Sequence, residues 1–168
     1  MTTGVAAIVL GWQKILASLD HLLSKGLEYA EATGTPEQEM LEWRLAPDMY
    51  PLRHQAQFVC NLVRQWAARA AGSEPGNDIG GDCGLDRIRA EIADVRIFLA
   101  GLEPDRFPDC DDRLLTVDLT VMSPTLPVAQ WITGFATTNI IFHLTTLYAI
   151  LRSRGVPLGK ADLFAGGL

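Results

Sequence analysis

The chain has 168 residues, 48% hydrophobic and 20% charged, a balance that fits an ordinary globular domain and excludes disordered and fibrous classes. Its 20 acidic residues outweigh 14 basic ones, giving a formal net charge of -6, and no basic run gathers the positive charge that a nucleic-acid surface needs. Cys60, Cys83 and Cys110 are odd in number, widely spaced and without a CxxC pair, so neither a disulfide framework nor a zinc knuckle is expected.

The opening MTTGVAAIVLGWQKIL lacks the basic flank of a secretory signal and reads on into an amphipathic helix. Over residues 5–33, Ile8, Trp12, Ile15, Leu19, Leu22, Leu23 and Ala30 fall at helical spacing, and Thr33-Gly34 ends the pattern. Thr35, Pro36 and Gln38 then carry the signature of an N-cap, a first helical residue and a capping-box partner. A short helix is expected there, stopped by Pro47 and Pro51.

The second long helix runs from Pro51 to Ala71 through Leu52, Ala56, Val59, Val63, Trp66 and Ala70, with Gly72 as its stop. GSEPGNDIGGDCG reads as a loop. A third helix turns Leu85, Ile88, Ile92, Val95 and Leu99 inward and ends near Gly101. In LLTVDLTVMSPTLPV, Leu115, Val117, Leu119 and Val121 alternate with Thr116, Asp118, Thr120 and Met122, which predicts a small β-hairpin before the last helix. That helix, Val128 to Arg154, is apolar on most sides, as a helix packed on several neighbours should be.

Gly134, Asn139, His143 and Arg152 break the most hydrophobic segment below the ~20 apolar residues of a membrane span, so no membrane partner and a cytoplasmic location are expected. Four long helices with one decorated crossover make an all-α four-helix bundle, read as one domain over residues 1–168.

Helical phase separates the three histidines. At about 100° per residue, His143 lies within ~20° of Ile132, Ala136 and Ile150, on the core stripe, with Asn139 within ~60°. Gln55 falls on the inward stripe of its helix and Asp48 close to it, whereas His54 and His21 turn away and are expected at the solvated surface. An inward imidazole is a core group with a private hydrogen bond, to Gln55, Asp48, Tyr50 or a backbone carbonyl, or part of a small-molecule pocket, or a metal ligand completed by carboxylate and amide.

Other patterns carry less. GVPLGKA has one residue too few for a phosphate loop and no Ser or Thr after Lys160, so Gly155 is read as a helix C-cap. DCDDR lacks the glycine and terminal glutamate of a calcium loop and is read as an acidic turn. No serine, cysteine or lysine has an evident activating partner.

Two blocks, RLAPDMYPLRHQAQF (44–58) and FHLTTLYAILRSRGVPLGKADL (142–163), resemble the DinB-like superfamily, in a branch of small bacterial proteins known only as a domain of unknown function. The resemblance implies an up-down-down-up bundle with a cavity at one end, often dimeric through its helices. In the wider superfamily it also implies nickel or zinc held by three histidines and, in some members, thiol-dependent transfer. Here only His143 matches an inward ligand position, and the histidine pair on one helix is absent.

The expectation is therefore a homodimeric bundle with a small-molecule-binding or stress-associated role. Its inward polar cluster is Asp48, Gln55, Asn139 and His143 facing a cavity, and it has no resident cofactor. The alternatives are a nickel- or zinc-dependent transferase or hydrolase, in which His143 ligates and Asp48 completes the site, and a structural dimer module without ligand.

Overall fold

A computed structural model of the chain describes residues 4–107 and 112–167, and the statements below concern those residues. Cys110 and most of the acidic turn DCDDR lie outside them.

Helix α1 (Gly4–Thr33) buries Val9, Trp12, Leu16, Leu19, Leu22 and Leu23. The short α2 (Glu37–Leu41) follows. Its expected capping box does not form: Pro36 is the N-cap and carries no side-chain cap, because the Thr35 hydroxyl pairs with that of Thr33 at 3.1 Å. Glu37 caps another helix instead, its carboxylate accepting the Leu85 amide at 3.1 Å.

Helix α3 (Leu52–Ala70) and helix α4 (Leu85–Ala100) run in the same direction. The cause is a polar ladder on α3, one residue per turn. Gln65 donates to the Asp78 carboxylate, Asn61 donates to the Ile79 carbonyl at 2.8 Å and accepts the Ile79 amide at 3.0 Å, and Gln57 donates to the Gly81 carbonyl at 2.9 Å. Arg53 completes it, reaching the Cys83 carbonyl at 3.4 Å and Glu42 at 2.6 Å. The loop after α3 is thereby led back along α3 to its beginning, so α4 starts beside the start of α3. Arg64 then meets the buried Glu91 one helix-length on.

Between α1 and α4 the order reverses: Arg89 bonds Ser24 and Gln13 bonds the Arg96 carbonyl, so the two are antiparallel. The last helix also opposes α3, since Gln55 meets His143 while Trp66 meets Trp131. These pairings give the up-down-down-up order.

The crossover carries strands β1 (Leu114–Thr116) and β2 (Thr125–Pro127), antiparallel, with Leu115 opposite Leu126. Leu115, Val117 and Leu119 lean on the core as their alternation predicts. Val121 does not: it is 89% exposed, because Thr120 takes φ 72° at the tip and breaks the alternation. The Trp131 indole N–H donates to the Leu115 carbonyl at 2.9 Å and ties the hairpin to the last helix.

That helix extends from Val128 to Ser153 as α5 (Val128–Gln130), a π-helical turn (Trp131–Ala136) and α6 (Thr137–Ser153). Polar side chains stabilise the wide turn: Thr133 donates to the Ala129 carbonyl, Thr137 to that of Ile132, both at 2.7 Å, and Asn139 to that of Phe135 at 2.8 Å. Gly155 ends α6 with φ 93°, as a C-cap glycine should. A turn of helix α7 (Lys160–Leu163) then brings the C-terminal segment onto α1.

By length and apolar composition alone, α1 and the Val128–Ser153 helix are long enough to cross a membrane. The polar interruptions read from the sequence do not separate them from such helices. In the fold, their apolar stripes face α3, α4 and each other and build the core.

Candidate functional site

Antiparallel packing of α3 on α6 brings Gln55 to His143, whose Nδ1 lies 2.8 Å from Gln55 Oε1. Pro51 leaves the chain extended before α3, so the Tyr50 carbonyl points at Gln55 and accepts its amide Nε2–H at 2.9 Å. Gln55 is almost fully buried, at 2% exposure.

The tautomer follows from this chain. A carbonyl only accepts, so Gln55 presents NH2 to Tyr50 and its oxygen to His143. That oxygen only accepts, so Nδ1 carries the proton. Burial pushes the His143 pKa below its usual value by penalising the charged ring. The neutral ring then offers the lone pair of Nε2, which has no protein partner among the described residues, as a hydrogen-bond acceptor.

Aromatic rings frame this nitrogen. Phe58 stands 4.7 Å from the His143 ring and Phe142 meets it edge-on at 5.1 Å. Tyr50 packs edge-on to Phe58 at 5.1 Å and stacks on His54 at 5.5 Å. Tyr50 and Phe142 are 60% and 56% exposed, so the site is an open aromatic shelf at the α3–α6 seam.

Of the expected cluster, then, the structure brings Gln55 and His143 together. Asn139 is engaged within its own helix at the π-turn, and Asp48 lies exposed in the turn before Pro51, without a side-chain hydrogen bond among the described residues. His143 does not line the 520 Å³ cavity between hairpin and π-turn, nor a 330 Å³ cavity between α1 and α6.

The other histidines are less solvated than helical phase suggests. His54 is half-buried in the shelf, its Nδ1 buried and without a hydrogen-bond partner among the described residues. His21 Nε2 lies 2.8 Å from Asp162 Oδ1, because α7, absent from the sequence reading, folds onto α1. Phe58 was also missed. Its signal is visible in retrospect: Tyr50, His54 and Phe58 recur every fourth residue.

A three-histidine metal centre does not fit these residues. His21 pairs with Asp162, His143 Nδ1 is committed to Gln55, and among the described residues no three His, Cys, Asp or Glu side chains converge.

The family described as Domain of unknown function (DUF1993) matches residues 6–164. The fold is similar to the crystal structure of a DinB family member protein from Shewanella denitrificans at 1.83 Å resolution, with a TM-score of 0.84 and 28% identity, covering 93% of this chain and 88% of that one. No curated protein matches the sequence.

Proposed function

The chain belongs to the DUF1993 family, on a DinB-like all-α bundle, and from that premise we propose that it is a small-molecule-binding protein whose ligand sits on the His143 shelf. The observation that carries this reading is the Tyr50–Gln55–His143 chain of hydrogen bonds, which spends a buried amide on orienting one imidazole and leaves Nε2 facing outward as an acceptor. Buried polar groups are costly to order, so a fixed ring with an unused nitrogen beside exposed aromatics is a recognition arrangement.

The ligand chemistry follows from the two halves of the shelf. Tyr50, Phe58 and Phe142 suit a flat or apolar body, and Nε2 suits an O–H or N–H donor on it. Binding is preferred to a nickel- or zinc-dependent transferase or hydrolase because His143 Nδ1 is engaged by Gln55 and, among the described residues, no three His, Cys, Asp or Glu side chains converge.

Titration with phenol, indole and benzyl alcohol, followed by amide NMR shifts, tests this. The expected result is shifts confined to residues 50–58 and 139–146, with affinity falling about tenfold, or ~1.4 kcal/mol, in His143→Leu. Shifts elsewhere, or equal affinity in the variant, contradict it.

A further inference from the structure

The C-terminal segment crosses α1 above a cavity that it does not fill. One carboxylate, Asp162, accepts the Gly159 amide at 2.7 Å and meets His21 of α1 at 2.8 Å, fixing both the turn of the segment and its contact with the helix. Farther on, the Gly166 amide donates to the Ser18 hydroxyl at 3.0 Å. A Cβ on Gly166 would stand 1.9 Å from the Lys14 carbonyl oxygen, so the strap lies flush on α1 only because that residue is glycine.

Beneath it, between α1 and α6, is a cavity of about 330 Å³ walled by Ile15, Ser18, Ile141, Leu144, Leu163 and Phe164. This volume falls within the ~300–1,000 Å³ range of small-molecule sites. Protein interiors normally close such spaces, since a wall without neighbours forfeits its packing energy. Here the segment bridges the space with two polar links placed on α1, and the walls are otherwise almost wholly apolar.

We propose that this cavity binds a small apolar molecule, aliphatic or aromatic and without charge, and that residues 163–167, seated on α1 by Gly166, form one of its walls. The site is distinct from the His143 shelf, which contributes none of its walls. The cavity opens to solvent beside the exposed Ile141, Thr145 and Phe164, so a ligand enters directly; weakening the strap's seat on α1 loosens one wall and weakens binding, whereas filling the cavity from α6 blocks it. Thr145 lines the cavity from an exposed position, so a larger side chain there enters the space without disturbing the core.

The test is fluorescence titration of N-phenyl-1-naphthylamine binding to the full chain, to Gly166→Ala and to Thr145→Trp, with folding checked by circular dichroism. Binding is expected in the wild type, about tenfold weaker in Thr145→Trp, and about threefold weaker in Gly166→Ala. Amide shifts on the wild type should fall at residues 14–18, 141–145 and 163–167, which keeps the test independent of the variants. Absence of binding, equal affinity in Thr145→Trp, or shifts outside those residues overturns the site. An unchanged affinity in Gly166→Ala overturns the strap's part in the site.

Discussion

At Gln55 a single buried amide answers two demands, donating a hydrogen bond to the Tyr50 carbonyl and accepting one from His143. Replacing it with leucine strands both partners, so Gln55→Leu should cost about 1–3 kcal/mol, as should His143→Leu, which strands the Gln55 oxygen. The double variant should cost less than the sum of the two, and a urea-unfolding cycle in which the effects add within about 0.5 kcal/mol would show the pair uncoupled. The lowered His143 pKa gives a second prediction. Its folded-state value lies below the unfolded value of ~6.5, so the unfolded chain binds the proton more readily, and the stability this ring supplies is complete above pH ~6.5 and lost as pH falls toward the folded value. His143→Leu should flatten the stability profile between about pH 7 and 5; an unchanged slope would assign that titration elsewhere. The Gln55–His143 pairing was legible because both fall on inward stripes, and phase along a regular helix is arithmetic. Asn139 satisfied the same arithmetic, yet its amide is used by the Phe135 carbonyl, because a nearby backbone demand took precedence over the interior.

Regular helices were legible from their apolar spacing, and α3 and α4 begin and end within a residue or two of where it places them. The elements that escaped are those whose cause is not apolar. Arg53, Gln57, Asn61 and Gln65 form a polar stripe of four-residue period that periodicity of hydrophobic residues ignores, yet it dictates the parallel course of α3 and α4. Asn61 holds both backbone groups of the buried Ile79, so Asn61→Ala should cost about 1–3 kcal/mol and expose the Ile79 amide to faster hydrogen exchange. Unchanged exchange would mean that Ile79 packing alone holds the loop. The π-turn had no signature in composition either; its marks are Thr133, Thr137 and Asn139, each bonding a carbonyl four or five residues back.

Across the molecule, the apolar surface left by the bundle concentrates on α6. Leu144 is buried, beside α1 and the C-terminal segment, and Tyr148 packs partly buried against the core. Ile141 and Phe142 stay 49% and 56% exposed, and neighbouring Phe164 42%. Adjacent exposed side chains of this size are unfavourable in water unless a second surface meets them, which supports the homodimer that family resemblance implies. Sedimentation at micromolar concentration should give a dimer, and Ile141→Glu should give a monomer of unchanged fold. A wild type that stays monomeric at tens of micromolar would leave α6 free.

The account turns on the protonation of one ring, and that can be observed directly. Long-range proton–nitrogen NMR of histidine-labelled protein at pH 7.5 should show His143 neutral, with the proton on Nδ1 and a pyridine-type signal from Nε2, and Gln55→Leu should allow the proton to redistribute between the two nitrogens. A proton on Nε2 in the wild type, or a charged ring at that pH, would contradict the Gln55 hydrogen bond and the acceptor role assigned to His143.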